Sequence, residues 1–454
     1  MSDAIARRRW ARAGAIYLLL LFFSILFMGP LLFAVLSSLK DNPAEWPPRL
    51  DPPQLHWRNW VAAYRLGRAG GGSGWFGAFA PGAVVPFEVT YEVPAELAAQ
   101  GIELPQVVVP RRVPGAGPGA VRTGPFAADY AEVVGPSIAS RQEHPDGSVT
   151  VTYRFEVRHT GGITVDRLPV DVEVPRGYRF VEATLYPNRM ERLGRVQSWN
   201  SITPGVIPYI FYNYTRVFGE NYSRTTGRNL FLTWIGNSLF VATAKVLTTV
   251  TFASMAGYAL ARLRFPGRNV IFVVMLFSMM VPSQVTFISN YLVLRDGIFG
   301  LSRLWGMPTL LNSFTGLILS GLVGASAVFI MKQFFESLPK ELEESARIDG
   351  ASRGTIFRRI VLPLARPALG AVTILTFQGA WNEFFWPLVV LTSPQDKYVL
   401  MVGLSTFRRA YGAVGFDWGP LLAGAVVAAL PVVILFVVFQ RYFVEGISFS
   451  GLKG

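Results

Sequence analysis

Two ionisable residues, Lys245 and Glu383, stand inside long apolar stretches of this 454-residue sequence. A charge at the depth of a bilayer is costly, so residues of this kind are functional candidates by default. Glu383 follows Asn382 in an aromatic-rich segment, residues 381–388, and it could either line a cavity or bond to neighbouring helices. Lys245 has a simpler alternative explanation, because a lysine stem can carry its ammonium group to an interface with water.

Cysteine and histidine chemistry is limited by composition. The chain has no cysteine, so it offers no disulfide, no thiolate nucleophile and no cysteine-based metal site. Its three histidines, His56, His144 and His159, are too scattered to suggest the spacing of metal ligands. We therefore expect no metal site and no catalysis by a thiolate.

The overall composition is typical of a membrane protein. Hydrophobic residues make up 51% of the chain and charged residues only 16%, whereas a soluble domain has about 25% charged residues. The net charge of +13 could suggest nucleic acid as a partner, but no binding motif accompanies it. The basic residues instead cluster beside apolar stretches, as the positive-inside rule predicts for membrane proteins.

A charged interval, residues 335–364, lies between two strongly apolar runs and is too polar to cross a bilayer. We predict two short helices joined by Gly350, which permits backbone angles closed to bulkier residues, with Ser352 capping the second helix. In the first helix, Leu342 and Ala346 should share one face. Three glutamates near its start suit the positive end of a helix dipole: Glu341, Glu343 and Glu344.

This interval resembles the cytoplasmic signature of permeases from binding-protein-dependent ABC importers: Glu-Ala-Ala, three residues, Gly, nine residues, Ile, one residue, Leu-Pro. Six positions match it, namely Glu344, Ala346, Gly350, Ile360, Leu362 and Pro363. Ser345 stands where the family usually has Ala. In that family the first helix is a coupling helix that docks in a cleft of the ATP-binding subunit. The resemblance therefore implies an ATPase-coupling loop formed by Glu344, Ser345, Ala346, Asp349, Gly350, Ile360, Leu362 and Pro363. An amphipathic helix pair lying between two spans is the alternative interpretation.

Further segments resemble the carbohydrate branch of these permeases, and in particular the G-subunit type of the maltose permease. Residues 381–388 look like one such segment, which implies that Asn382 and Glu383 belong to the translocation path. The terminal residues 451–454 look like a tail that reaches into the ATPase dimer. That resemblance assigns the contacts of the tail to Gly451, Lys453 and Gly454.

Six apolar stretches are long enough to span a bilayer. They cover about residues 15–39, 235–260, 270–289, 309–334, 367–391 and 421–443. Arginines before the first stretch favour a cytoplasmic N-terminus, and six spans then return the C-terminus to the same side. The fourth stretch has small residues four apart, Gly316, Ser320 and Gly324, which predicts a face for close helix packing. The family resemblance implies a mainly α, polytopic protein with the six-helix, MetI-like fold of type I ABC importers.

Between the first two spans, apolar and polar residues alternate with period two, which predicts half-buried antiparallel strands. The pattern is clearest at residues 87–93, 149–157 and 170–174, with a turn at 145–147. We expect an all-β, sandwich-like domain outside the cytoplasm, inserted into the permease. Gly72, Gly74 and Gly77 have the spacing of a dinucleotide fingerprint, but no strand precedes them, so we interpret this segment as a flexible linker. The resulting domains are residues 1–66, residues 67–212 with the β-rich insertion, and the permease core at 213–454.

The resemblance implies a transport subunit in the inner cell membrane and not an enzyme. No Walker A sequence occurs, so a separate ATPase subunit dimer would use ATP and Mg, and this chain would bind no cofactor. The other implied partners are a second permease subunit, an extracytoplasmic sugar-binding protein and the lipid bilayer, with no nucleic acid. A sugar or oligosaccharide is the expected cargo. The alternatives are an ABC permease for a non-sugar solute and a secondary transporter, although a secondary transporter would not require the coupling signature.

Overall fold

A computed structural model describes residues 2–40, 52–108, 131–166, 168–183, 191–193, 196–219, 221–223, 225–412 and 418–448. The predicted ATPase contacts of the tail, at Gly451, Lys453 and Gly454, lie outside these described residues. The chain divides into two units, one formed by residues 1–221 with 406–427 and the other by residues 222–405 with 428–454.

Helices dominate the described residues, and eight strands lie between the second and the fourth helix. The helices are α1 (Ser2–Leu39), α2 (Trp57–Ala69), α3 (Ala95–Ala98), α4 (Val206–Ile210), α5 (Tyr212–Gly219), α6 (Leu230–Arg262), α7 (Arg268–Met280), α8 (Ser283–Arg295), α9 (Phe314–Leu319), α10 (Ala325–Ser337), α11 (Glu341–Ile348), α12 (Arg353–Ile356), α13 (Leu362–Leu364), α14 (Arg366–Asn382), α15 (Phe385–Val390), α16 (Leu400–Gly412) and α17 (Trp418–Ser448). The strands are β1 (Val84–Val93), β2 (Gln106–Val108), β3 (Ala131–Glu143), β4 (Val149–His159), β5 (Leu168–Glu173), β6 (Arg179–Ala183), β7 (Glu191–Leu193) and β8 (Val196–Ile202).

The strands form two antiparallel sheets of four, in the orders β3-β4-β1-β6 and β2-β5-β8-β7. Strands β1 and β4 pair so that Phe87 lies opposite Phe155 and Tyr91 opposite Val151, and these four side chains are at most 2% exposed. The expected alternation in these strands is therefore confirmed. Residues from both sheets share one apolar core, as expected for a sandwich-like domain.

The glycine-rich stretch after α2 differs from the expected flexible linker. A Cβ added to Gly77 would lie 2.8 Å from the Cα of Gly67, and one added to Gly67 would lie 3.1 Å from the Cα atoms of Gly74 and Gly205. The N–H of Gly205 also donates to the carbonyl of Ala63 at 2.8 Å. These glycines therefore allow backbone segments to pack directly against one another where the chain enters and leaves the β domain. The sequence shows the glycines but not the segments that they contact.

Replacing Gly205 by alanine should destabilise this junction. Its φ is +94°, and the new Cβ would lie 2.8 Å from the amide nitrogen of Gly77, so we expect a loss of about 1–3 kcal/mol in the free energy of unfolding. Gly219→Ala is the control, because an added Cβ there meets nothing within 4 Å. Thermal unfolding of the purified full chain measures both variants, and equal shifts would contradict the packed junction.

Three helices of the described residues are long and apolar enough to cross a membrane, with spanning portions Ile16–Leu39, Leu230–Arg262 and Trp418–Phe439. The number rises to five if each of two bent pairs counts as one span. The bent pairs are Arg268–Met280 with Gln284–Arg295, at 106°, and Arg353–Leu364 with Arg366–Asn382, at 76°.

The expected third, fourth and fifth spans are not continuous helices. Residues 270–289 break at Pro282, residues 309–334 break between α9 and α10, and residues 367–391 break after Asn382. The expected small-residue face is consequently wrong. Gly316 lies in α9 and Ser320 caps its end, but Gly324 caps the start of α10, so the three residues do not form one helix face.

Candidate functional site

The structure brings together the two ionisable residues that the sequence analysis treats separately. The Nζ of Lys245 donates a hydrogen bond to Oε2 of Glu383 at 2.8 Å. Lys245 lies near the middle of α6, and its side chain is only 9% exposed. The expected alternative, in which this lysine reaches an aqueous interface, is therefore wrong, because the ammonium group is held by a carboxylate.

Glu383 reaches this position because α14 stops just before it. The residue caps α14 in an extended conformation, with φ −67° and ψ 122°. Four residues later, Pro387 has no N–H, and in a continuous helix its ring would clash with the carbonyl of Glu383. In α15, which begins at Phe385, that missing N–H falls in the first turn, where it needs no partner in the helix.

A cavity of about 450 Å³ surrounds the ion pair. Its lining combines amides, a hydroxyl, one pair of opposite charges and several aromatic rings: Lys245, Gln284, Phe287, Asn290, Ser320, Gly321, Glu383, Phe384, Phe385 and Trp386. These residues come from α6, from α8, from the breaks at 320–324 and 383–384 and from the start of α15. The interruptions in the expected fourth and fifth spans thus line the cavity, and the helix that follows the interruption in the third span contributes Gln284, Phe287 and Asn290.

Aromatic contacts order one wall of the cavity. The ring centroid of Phe287 lies 5.6 Å from that of Trp386 in an edge-on arrangement and 5.0 Å from that of Phe385. The Nε1–H of Trp386 donates to Oγ of Ser320 at 2.8 Å. Asn382, the other residue predicted for a translocation path, is exposed at the end of α14 and is not among the lining residues.

The charged interval forms the predicted pair of helices, α11 and α12, and Gly350 makes the turn between them with φ +79°. Ser352 caps α12 as predicted by accepting the N–H of Thr355 at 3.3 Å. A Cβ at Gly350 would meet nothing within 4 Å, so glycine is needed here for its backbone angle and not for close packing within the chain. A π-helical segment, Phe357–Val361, separates α12 from α13.

The predicted coupling residues differ in exposure. Glu344, Ser345, Asp349 and Gly350 are exposed, whereas Ala346 is buried against a core that also contains Phe335. Ile360 is half-buried beside this core, Leu362 is half-buried and Pro363 is exposed. The structure therefore presents one edge of α11 to the outside and anchors the other edge.

The buried face of α11 is formed by Glu343 and Ala346, while Leu342 is 44% exposed. Leu342 lies one turn before Ala346 in α11, as predicted, but it stays largely outside the core, and Glu343 packs beside Ala346 instead. Its Oε1 lies 3.0 Å from Nε of Arg262, and both side chains are at most 6% exposed. Arg262 also donates from Nη2 to the carbonyl of Leu338 at 2.6 Å. This buried ion pair joins the end of α6 to the first helix of the charged interval.

Removing one member of this pair should cost far more stability than removing the exposed neighbour. Glu343→Gln leaves the guanidinium of Arg262 buried without its counter-charge, so we expect a loss of about 3–5 kcal/mol in the free energy of unfolding. Glu344→Gln is the matched control and should change it by less than about 0.5 kcal/mol. Thermal unfolding in detergent distinguishes them, and a larger effect at Glu344 would overturn this assignment.

A second polar cluster fastens the start of α6 to the loop before α16. Asp396 accepts hydrogen bonds from the hydroxyls of Ser223 at 2.8 Å, Thr225 at 2.9 Å and Thr226 at 2.6 Å. Asn237 donates to the carbonyl of Asp396 at 2.7 Å. Burial is the largest single influence and raises the pKa of Asp396, but the three hydroxyls together outweigh it and hold that pKa below its ordinary value.

Because the pKa of Asp396 is lowered in the folded chain, its contribution to stability should be complete above the ordinary value of 3.8 and should disappear as the pH falls through the folded pKa. We expect wild type to unfold at a higher temperature than Asp396→Asn at pH 7, and the gap to narrow below about pH 4. Thermal unfolding from pH 7 to pH 3 measures this gap. A gap that widens on acidification would contradict the role of the ionised carboxylate.

Sequence reasoning missed both the Arg262–Glu343 pair and the partner of Lys245. A signal for the second was present, since Pro387 predicts a helix break at Glu383. A signal for the first was the spacing of Glu343 and Ala346, which places a charged residue beside a small apolar one on the same face. Neither signal identifies the partner, because each pair joins residues far apart in the chain.

Comparisons with known proteins converge on one family. Residues 249–449 match the family described as binding-protein-dependent transport system inner membrane component. Over 229 residues the chain is 41% identical to the arabinooligosaccharides transport system permease protein AraQ of Halalkalibacterium halodurans, covering 50% of this chain and 77% of that protein.

Two further relatives are named for the transport of other solutes. The diacetylchitobiose uptake system permease protein DasC of Streptomyces coelicolor is 32% identical over 243 residues, which cover 53% of this chain and 82% of that protein. The sn-glycerol-3-phosphate transport system permease protein UgpE of Yersinia enterocolitica is 31% identical over 250 residues, which cover 54% of this chain and 82% of that protein. The family match begins at residue 249, so the β domain, whose last strand ends at Ile202, lies outside it.

Proposed function

The chain belongs to the family of binding-protein-dependent transport system inner membrane components, as a carbohydrate permease of an ABC importer, and from this premise we propose how it takes part in transport. It is a membrane permease and not an enzyme. We propose that a separate ATPase dimer binds and hydrolyses ATP with Mg, and that this chain pairs with a second permease subunit. An extracytoplasmic binding protein delivers the solute.

The exposed edge of α11 is the observation that carries this proposal. Ile348 at the end of α11 is 86% exposed, although it lies among charged residues. This side chain is therefore available for contact with a protein partner. Glu344 stands on the same helix with its carboxylate available to a basic group of that partner. Motion of the ATPase would reach the permease core through the Arg262–Glu343 pair.

The cavity around Glu383 is the best candidate for the translocation path. Backbone that is not helical is tolerated at membrane depth only where it is buried in protein or lines a water-filled cavity. Two helix breaks line this cavity, and α8, which follows a third break, completes it. This arrangement supports a path for a polar solute between them. Alternating access would open the path to one side of the membrane at a time as ATP binds and is hydrolysed.

We propose six spans: α1, α6, the broken pairs α7–α8, α9–α10 and α14–α15, and α17. Both termini would then be cytoplasmic and the β domain extracytoplasmic.

The proposed insertion of the β domain is supported by contacts between the residues that precede the domain and those that follow it. The side-chain amide of Asn213 donates to the carbonyls of Ser38 and Lys40 at 2.8 and 2.7 Å, and the hydroxyl of Tyr214 lies 2.7 Å from Oγ of Ser38. The β domain would help to recognise the binding protein or stabilise the external face.

An oligosaccharide is the favoured cargo, because relatives named for arabinooligosaccharides and diacetylchitobiose match the chain. The relative named for sn-glycerol 3-phosphate keeps a charged, non-sugar solute as the second candidate. A secondary transporter is disfavoured, since it has no use for a coupling loop with an exposed docking edge.

Disruption of α11 should uncouple uptake from ATP. We expect Glu344→Lys and Gly350→Pro to lower ATP-driven uptake about tenfold or more, the effect of losing about 1.4 kcal/mol of docking free energy. Charge reversal would repel a basic partner, and proline cannot adopt the φ of +79° found at Gly350. Uptake of a labelled oligosaccharide into vesicles that contain the ATPase and binding protein is the measurement.

Two conservative variants serve as controls. Glu344→Gln removes the charge without reversing it, and Gly350→Asn introduces a residue that tolerates a positive φ, so both should retain more uptake than their counterparts. Full ATP-driven uptake by Glu344→Lys and Gly350→Pro would refute the coupling role. Uptake that follows an ion gradient and ignores ATP would favour a secondary transporter.

A further inference from the structure

The charges of the described residues that line the cavity around Glu383 cancel. Lys245 and Glu383 are the two charged residues among its lining residues, and they pair with each other at 2.8 Å. The remaining lining residues supply neutral hydrogen-bonding groups and aromatic rings, namely Gln284, Asn290, Ser320, Phe287, Phe384, Phe385 and Trp386. From these described residues, a solute therefore meets donors, acceptors and aromatic rings, and the two charges among them are already paired with each other.

The two members of the pair are not equally accessible. The side chain of Lys245 is 9% exposed and that of Glu383 is 32% exposed. Gly321 lies beside the lysine, since a Cβ added there would be 3.4 Å from its Nζ. Both residues line the cavity, but the carboxylate is the more accessible of the two, and the ammonium group that neutralises it is nearly buried.

This asymmetry suits a neutral, hydroxyl-rich solute. An ionised carboxylate has about four lone-pair sites and accepts hydrogen bonds from hydroxyl groups, and one of those sites is taken by Lys245. The ring faces of Phe287 and Trp386 add apolar surface of the kind that packs against the C–H face of a sugar. An anion would instead approach the exposed carboxylate, with the ammonium group already engaged, in a setting where an uncompensated charge costs several kcal/mol.

We propose that the Lys245–Glu383 pair makes Glu383 a specificity-determining residue, which admits neutral glycosides and excludes anionic solutes. The proposal rests on the translocation path proposed above, and it selects the oligosaccharide over the phosphorylated polyol as cargo. Lys245 is a positioning residue that fixes the charge and orientation of Glu383.

The absence of native cysteine allows a direct test of the cavity's charge. Asn290→Cys places one thiol in the lining, and its rate of reaction is compared for an anionic and a cationic methanethiosulfonate reagent in the assembled importer. Each reagent's rate is divided by its rate at an exposed control position, Thr309→Cys. With the native pair, the normalised rates of the anionic and cationic reagents should agree within about threefold. Glu383→Gln leaves Lys245 uncompensated and should favour the anionic reagent at least tenfold, about 1.4 kcal/mol, whereas Lys245→Met should favour the cationic reagent.

A second readout tests selectivity with arabinotriose and trigalacturonate as a neutral and an anionic probe. Arabinotriose should protect Asn290→Cys from labelling at least threefold and trigalacturonate should not, with the preference reduced or reversed in Glu383→Gln. If that variant does not fold, the double variant Lys245→Met/Glu383→Gln avoids an unpaired charge. It should keep equal reagent rates but lose protection by arabinotriose.

The proposal is overturned if the native cavity already prefers one reagent charge, or if Glu383→Gln leaves the reagent ratio unchanged. Protection by neither sugar, or by both equally, also overturns it. ATP-driven uptake by the same preparation distinguishes a failure of the specificity role from a failure of the proposed transport function. Failure of the labelling test with intact ATP-driven uptake refutes the specificity role alone, whereas loss of ATP dependence refutes the proposed function.

Discussion

The hydrogen-bonding requirement of backbone in a bilayer is the constraint on which this chain depends. A continuous helix satisfies its own N–H and C=O groups, whereas each break frees groups that lipid cannot satisfy. The breaks at 281–282, 320–324 and 383–384 all contribute to or adjoin one polar cavity, where protein or water can meet those groups. The break after α14 also places the carboxylate of Glu383 next to Lys245, which lies in the unbroken helix α6. Cavity and ion pair are thus two consequences of where the helices stop.

Two adjacent glutamates in α11 have opposite environments, and the difference follows from helix geometry. Glu343 lies three residues before Ala346, so both face the core and the carboxylate meets Arg262. Glu344 lies one position further and is exposed. A helix held only by surface contacts could slide or rotate when a partner pushes it. The buried pair instead ties α11 to the end of α6, so in the proposed coupling a displacement of α11 would be passed to the helix that carries Lys245.

The sequence predicts the local parts of this structure and misses the parts that depend on distant partners. Alternation in β1 and β4, the turn at Gly350 and the cap at Ser352 depend on a few neighbouring residues, and all are confirmed. The breaks within 270–289, 309–334 and 367–391 are missed because hydropathy records the apolar length of a stretch but not where its helix is interrupted. Pro282 and Pro387 were available as signals. The close approach of Gly67 to Gly77 and Gly205, and both buried ion pairs, depend on long-range packing that no local pattern contains.

The contacts around the β domain are those that the proposed insertion into a permease core requires. Closing a long loop costs conformational entropy that grows only slowly with its length, so the cost depends mainly on fixing the two ends. Here Asn213 and Tyr214, which follow the β domain in sequence, bind to Ser38 and Lys40 at the end of α1. Within the domain, the core that the two sheets share extends to Ala63 of α2 and Tyr209 of α4, on either side of the strands in sequence. The insertion therefore carries its own core up to its boundaries, and its ends are fixed by contacts that do not require the strands themselves.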